Sequence, residues 1–231
     1  MSLWRKEWRE QRWKLALGCV LLGGFTLVGL RSRLVPDGAI LALVMVMSAA
    51  LLPLLASMDL LAGERAGGTL VSLLKLPVRP WRILAAKLAA GITVCVGPIT
   101  AACVIACLIA GGREVTTWQI VAFFAATAAL GATALIWMLA FGARQPSEAK
   151  AAIMSIAVLA VWSFSAAVVY GYFGTFLPKW VMVVHPMSFL VTLDGPDAPW
   201  LAVIVPVQAA LCTVLLVWTA RRLGRPGRSE S

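Results

Sequence analysis

Six long apolar runs, separated by short polar segments, make up most of this 231-residue chain. Because about 20 apolar residues cross the hydrocarbon core of a bilayer, runs of this kind predict transmembrane helices. The first run is followed by Arg31-Ser32-Arg33 and by no small-residue cleavage site, which favours an uncleaved span over a signal peptide. The sequence predicts an all-α polytopic membrane protein with one transmembrane domain over 1–231, its six spans being 15–30, 39–62, 88–110, 118–142, 151–173 and 200–220.

Residues 1–14 are charged and rich in tryptophan. On a helix, Trp4 and Trp8 share one face, while basic residues including Arg5 and Arg9 spread over the rest of the surface. This profile predicts an interfacial helix with its aromatic rings at headgroup depth. The alternative is a charged leader that simply precedes the first span.

The composition agrees with a membrane protein, since 61% of residues are hydrophobic and only 13% are charged. If there are six spans and both termini are cytosolic, sixteen of the twenty Lys and Arg residues lie on the cytosolic side. Such a split follows the positive-inside rule and predicts a multi-pass protein with both termini in the cytosol. The expected location is a bacterial inner (plasma) membrane, with membrane lipid as one partner. The net charge of +10 is then a topology signal, and nucleic acid is not predicted as a partner.

The segment 174–199 is apolar in part but broken by Pro178, Lys179, His185 and Pro186. A seventh span here would move the basic C-terminal tail to the outer side. Irregular backbone at membrane depth is tolerated where protein or a cavity surrounds it. The segment is therefore predicted to be an outer re-entrant or interfacial element before the last span.

Residues that could perform catalysis are scarce. The single histidine excludes a zinc-type histidine cluster, and no phosphate-binding G-x-x-x-x-G-K-[ST] loop is present. Asp59, near the end of the second span, is a candidate for transport, although snorkelling toward Arg65 is the simpler account. The scattered cysteines fit small buried apolar residues better than a soft-metal relay. The chain is predicted to have no catalytic residue, metal site or cofactor of its own.

The segment 63–87 is the longest polar stretch inside the chain. After a turn at 64–68, residues 69–76 predict a short amphipathic helix that Pro77 ends. Pro80 then suits the first position of a new helix, which leads into the third span. A short helix on a rigid turn between two spans predicts a cytosolic docking element; the alternative is a linker that lies on the membrane surface.

At this segment the sequence resembles the ABC-2 family of ATP-driven exporter permeases. The resemblance rests on Glu64-Arg65, Gly68-Thr69-Leu70, Leu73-Leu74, Leu76-Pro77-Val78, Ile83-Leu84 and Lys87, and on the six-span layout. It implies a separate ABC ATPase subunit that binds ATP and Mg, and a second permease subunit, identical or similar. It also implies an outer gate at Pro178, His185 and Pro186. The residues implied to contact the ATPase are Glu64, Arg65, Gly68, Thr69, Leu70, Leu73, Leu74 and Pro77.

Two departures from the family pattern stand out. Val71 occupies a position where the family often has an acidic residue, and the connection between the first two spans is only eight residues long. The substrate-binding residues stay unassigned. Two other functions remain open at this point: a haem-exporter B-like subunit of cytochrome c maturation, and a non-transporting membrane anchor that docks a cytosolic enzyme. A membrane-embedded enzyme is disfavoured, since no catalytic constellation is present.

Overall fold

The computed structural model describes residues 3–58, 60, 79–110, 116–143, 145, 147–166, 184–185 and 201–223. Regular structure in these residues is entirely helical, as the apolar runs predict. The helices are α1 (Leu3–Ser32), α2 (Asp37–Ser57), α3 (Pro80–Ala110), α4 (Thr117–Gly142), α5 (Glu148–Ala166) and α6 (Leu201–Leu223).

The N-terminal segment and the first predicted span form one element. In place of the predicted boundary between residues 14 and 15, α1 runs through Leu3–Ser32 without a break. No proline or glycine interrupts residues 3–17, and buried positions continue along one face from Glu7 to Leu22. Residues 3–14 therefore extend the span by about 18 Å instead of forming a separate helix.

Five of the described helices are long and apolar enough to cross a bilayer, namely α1, α2, α3, α4 and α6. The apolar part of α5 covers 149–165 and is shorter. The predicted fifth span continues to residue 173, and its portion from 167 onward lies outside the described residues. The helix α3 begins at Pro80, which confirms the helix start predicted from that proline.

The helices pack around α4, which contacts α2, α3, α5 and α6 and is the most buried of the five. Helix α1 packs along α3 and also contacts α2. The core between these elements contains Val44, Leu52, Val94, Ile99 and Leu135, all 4% exposed or less. This arrangement brings the polar N-terminal part of α1 beside the last turns of α2 and the first turns of α3.

Hydroxyl groups inside the helices bond to their own backbone. In hydrocarbon a polar group without a partner costs several kcal/mol, so a hydroxyl is tolerated when it donates to the carbonyl one turn earlier. The residues whose hydroxyls donate to the carbonyl four residues before are Thr26, Ser48, Thr93, Thr100, Thr127, Thr133, Thr213 and Thr219. These residues are therefore compatible with apolar surroundings.

Small residues allow α1 and α3 to approach closely at mid-height. A Cβ atom added to Gly18 of α1 would lie 2.7 Å from Cγ of Pro98 in α3. A Cβ atom added to Gly97 of α3 would lie 2.5 Å from Cδ1 of Leu15 in α1. Real Cβ atoms do not approach other atoms so closely, so a larger residue at Gly18 would press on the rigid Pro98 ring, whereas one at Gly97 would require the flexible Leu15 side chain to move.

This close approach predicts the outcome of adding one methyl group. Gly18→Ala is expected to destabilise the protein by about 1–3 kcal/mol, because the rigid Pro98 ring cannot yield. Unfolding of the purified protein by SDS, followed by circular dichroism, measures the change. Gly24→Ala is the matched control on the same helix, since nothing lies within 4 Å of its added Cβ. Equal stability of the two variants would contradict the close α1–α3 contact.

Candidate functional site

A buried ion pair joins α1 to α3. Nζ of Lys87 donates a hydrogen bond to Oε1 of Glu7 at 3.0 Å, and both side chains are 1% exposed. Charges withdrawn from water this completely are costly unless they are paired and hydrogen-bonded. Removing either residue would take from the other a charged partner that lies 3.0 Å away. The pair therefore holds the N-terminal part of α1 against the second turn of α3.

A second basic residue of α1 connects this helix to α2. Nζ of Lys14 donates to the carbonyl oxygen of Leu55 at 2.9 Å, and the lysine side chain is buried. Leu55 lies in the last turn of α2, where the helix dipole carries partial negative charge. A cation in this position stabilises the helix end.

Glu7, Gln11 and Lys14 together form a polar face of α1, which we call the inner polar stripe. Their spacing of four and three residues places them on one side of the helix, and all three are buried. Within the described residues, Oε1 of Gln11 has no hydrogen-bond partner. The stripe thus presents an acid, an amide and an ammonium group to the neighbouring helix ends.

The inner polar stripe contacts the two helix ends that precede and follow residues 61–78. On the α2 side, Leu60 is buried and packs against Gly91 of α3, whose added Cβ would lie 2.8 Å from Cδ1 of Leu60. Residues 61–78 themselves lie outside the described residues. The predicted ATPase-contacting residues that fall there are Glu64, Arg65, Gly68, Thr69, Leu70, Leu73, Leu74 and Pro77.

At another part of the fold, Val184 and His185 lie against α5 and α6. Nε2 of His185 is 2.9 Å from Oγ of Ser165, near the end of α5. Nε2 of Gln208, a buried residue of α6, donates to the carbonyl oxygen of Val184 at 2.8 Å. Pro178 and Pro186, the other predicted gate residues, lie outside the described residues.

The environment of His185 lowers the pKa of its imidazole below the ordinary value of about 6.5. Burial is the larger cause, since it disfavours the charged form, and a hydrogen bond with the backbone of Trp162 offsets part of the shift. The imidazole is therefore neutral at pH 7. The packed arrangement is most stable at that pH and weakens as the pH falls through the lowered pKa.

The residues predicted for the interfacial helix lie on the first turns of α1. Arg5, Trp8 and Arg9 are all exposed, and they occupy the side of the helix away from the inner polar stripe. The backbone of Trp4 is helical, and its side chain lies outside the described part.

Sequence reasoning did not single out Glu7, Lys14 or Gln208. The spacing of Glu7, Gln11 and Lys14 was an available signal, because it places three polar residues on one helix face. It was obscured by the surrounding arginines, which make the whole segment resemble a solvated leader. Gln208 interrupts an otherwise apolar span, and a buried amide in such a span signals a polar partner.

Within the described residues, no group of three His, Cys, Asp or Glu side chains could hold a metal ion. The inner polar stripe offers an ion pair and a capped carbonyl, which can position helices. The stripe therefore holds α1 against α2 and α3.

Comparison with known proteins identifies the family. Residues 6–191, about four-fifths of the chain, match the family described as ABC-2 family transporter protein. The chain therefore belongs to the ABC-2 family of membrane transport components, which confirms the resemblance found in the 64–87 segment. No curated protein matches the chain.

The buried Glu7–Lys87 pair is expected to contribute to the free energy of unfolding. Lys87→Met is expected to destabilise the protein by about 3–5 kcal/mol, because the buried carboxylate of Glu7 would lose the ammonium group that lies 3.0 Å from it. Adding Glu7→Leu to this variant should recover most of the loss, since an apolar pair of similar volume replaces the ion pair. SDS-induced unfolding of the three proteins measures both changes.

A matched control is available in the exposed pair Lys6–Glu10, whose charged atoms are 3.9 Å apart with side chains 38% and 51% exposed. Lys6→Met should cost less than about 1 kcal/mol, because water screens this pair. If Lys87→Met costs no more than Lys6→Met, the Glu7–Lys87 pair does not hold the two helices together.

The single histidine of the chain makes its titration directly measurable. Imidazole NMR signals of the purified protein are expected to titrate with a midpoint below 6.5, because burial disfavours the charged ring. Ser165→Ala should shift the midpoint back toward 6.5. The imidazole of His185 would lose its contact with Oγ of Ser165 and would be held less firmly in its buried position. The SDS-unfolded protein provides the reference value. A midpoint at or above that reference would contradict the packed position of His185.

Proposed function

We propose that this chain is the transmembrane permease subunit of an ATP-driven ABC exporter. The family membership supports a transport role and, in general, an ABC ATPase partner; the sequence contains no phosphate-binding loop, and in this proposal the separate ATPase subunit binds ATP and Mg. The observation that carries the proposal is the inner polar stripe. Through Glu7–Lys87 and Lys14–Leu55, one helix is attached to both helix ends that flank residues 61–78.

In this proposal, the ATPase contacts the loop formed by residues 64–78. A push on that loop reaches α2 through the turn that contains Leu55, and it reaches α3 through the turn that contains Lys87. Because both turns are bonded to α1, the three helix ends move as one unit and do not slide past each other. Coupling of this kind requires two global states that the ATPase and the substrate stabilise differently.

The proposal places the outer gate at the segment containing Pro178, His185 and Pro186. Two contacts support it, His185 with Ser165 and Val184 with Gln208. Gln208 lies seven residues after Leu201, the first residue of α6, which is about 10 Å along the helix axis. The carbonyl of Val184 that accepts its hydrogen bond therefore lies at about the same level. A segment that reaches this depth between two helices is well placed to close an outer exit.

The complete transporter is proposed to contain two permease subunits, identical or similar, and two ATPase subunits. The inner polar stripe and the 64–78 loop would face the cytosol, together with both chain termini, in a bacterial inner membrane. ATP binding would draw the ATPases together and turn the helices toward the outward-open state. The substrate is released when the outer segment leaves its contacts with α5 and α6.

The 64–78 loop is tested by substitution in the reconstituted complex. Glu64→Ala and the double variant Leu73→Ala/Leu74→Ala are expected to reduce transport-linked ATP hydrolysis at least tenfold, since the loop would no longer transmit force. Co-purification of the ATPase subunit with the tagged permease, followed by its hydrolysis rate, is the measurement.

Glu114→Ala is the matched control, because Glu114 lies in a predicted outer loop and the substitution removes the same charge. It should leave co-purification and hydrolysis unchanged. If no ATPase subunit co-purifies with the wild-type chain, the exporter proposal fails in favour of a membrane anchor. If the ATPase co-purifies but the loop variants behave like wild type, the coupling role of 64–78 fails alone.

A further inference from the structure

The N-terminal part of α1 has a second face, composed only of arginine and tryptophan. Arg5, Trp8, Arg9, Arg12 and Trp13 follow the spacing i, i+3, i+4, i+7 and i+8, so they form one side of the helix, which we call the outer Arg/Trp stripe. All five side chains are exposed, Trp8 by 37% and Trp13 by 56%. The stripe lies opposite the inner polar stripe and therefore points away from α2 and α3.

Positive charge on this face is not neutralised by the acidic residues of the same segment. Glu7 is buried and paired with Lys87, and Glu10 pairs with Lys6 at 3.9 Å. In the described part of the chain, no ion pair involves Arg5, Arg9 or Arg12. Three guanidinium groups are thus presented along about 10 Å of helix.

The part of the stripe nearest the apolar run, Arg12 and Trp13, lies at the level of the lipid headgroups, and Arg9 lies near the outer edge of that layer. The apolar part of α1 begins at Leu15, and Arg12 and Arg9 precede it by about 4.5 and 9 Å along the helix axis. The headgroup layer on each side of a bilayer is about 5–8 Å thick. Sixteen apolar residues at 15–30 measure about 24 Å, less than the hydrocarbon core, and this shortfall draws the flanking Trp13 and Arg12 toward the membrane.

We propose that the outer Arg/Trp stripe is a binding site for anionic phospholipid headgroups. The guanidinium group binds phosphate oxygens in a bidentate manner, and tryptophan rings are favoured at the boundary between hydrocarbon and headgroups. The stripe faces outward from the helix bundle at headgroup depth, where the neighbouring molecules are lipids. Its bound lipid fixes the height of α1 in the membrane, and thereby the height of the helix ends attached to the inner polar stripe.

The site is tested by titrating the full-length protein in detergent with phosphatidylglycerol or phosphatidylcholine and counting bound lipid by native mass spectrometry. The wild type should bind the first phosphatidylglycerol more tightly than the first phosphatidylcholine. Arg9→Gln/Arg12→Gln should weaken the binding of phosphatidylglycerol roughly tenfold, given the contribution of each basic residue near anionic lipid, and leave phosphatidylcholine unchanged. Arg9→Lys/Arg12→Lys should restore most of the affinity, because it keeps both charges.

The matched control is Arg31→Gln/Arg33→Gln, which removes two exposed charges at the opposite end of the same helix. It should bind phosphatidylglycerol like the wild type. If the wild type and Arg9→Gln/Arg12→Gln bind phosphatidylglycerol with equal affinity, the proposal is overturned. It is also overturned if both glutamine variants lose affinity equally, because net charge alone would then explain the binding. If Arg9→Gln/Arg12→Gln leaves lipid binding unchanged but abolishes co-purification of a soluble protein, the stripe binds that protein and the lipid proposal is overturned. Circular dichroism and gel filtration verify that each variant is folded.

Discussion

The contact between Glu7 and Lys87 is the interaction on which the rest of this structure depends. Both charges are withdrawn from water, and the 3.0 Å contact between them offsets part of the cost of burying each one. A shift of α1 along α3 by a single turn, about 5.4 Å, would separate them. The pair therefore sets the register of the longest helix contact in the fold, including the close approach of Gly18 to Pro98.

The register set by this pair divides the first turns of α1 into two chemically different faces. Glu7, Gln11 and Lys14 turn inward, where an acid and an ammonium group have partners on α3 and α2. The arginines and tryptophans turn outward, and their side chains are exposed. One short stretch of helix thus contacts two neighbouring helices on one face and exposes its basic and aromatic residues on the other.

The spans could be predicted from the sequence because hydropathy and helix-start signals are local. Pro80 marks the start of α3, and each of the six described helices overlaps one of the apolar runs, although α1 and α3 begin 12 and 8 residues before their runs. The continuity of α1 could not be predicted in this way, since a charged segment followed by an apolar one resembles two elements. The partner of Glu7 is 80 residues away in the chain, so no local pattern reveals it. The family resemblance pointed to residues 64–78 as the predicted docking segment, whereas the inner polar stripe could be found only from the fold.

The distance between Glu7 and Lys87 along the chain also has a consequence for biosynthesis. Helix α1 leaves the ribosome first, and the residue that neutralises Glu7 is added 80 residues later. At a synthesis rate of about 5–20 residues per second, this interval lasts roughly 4–16 s. During that time Glu7 lacks its contact with Lys87, so the first turns of α1 are not yet attached to α3. This attachment forms only after α3 has been synthesised, which makes the assembly of this bundle sequential.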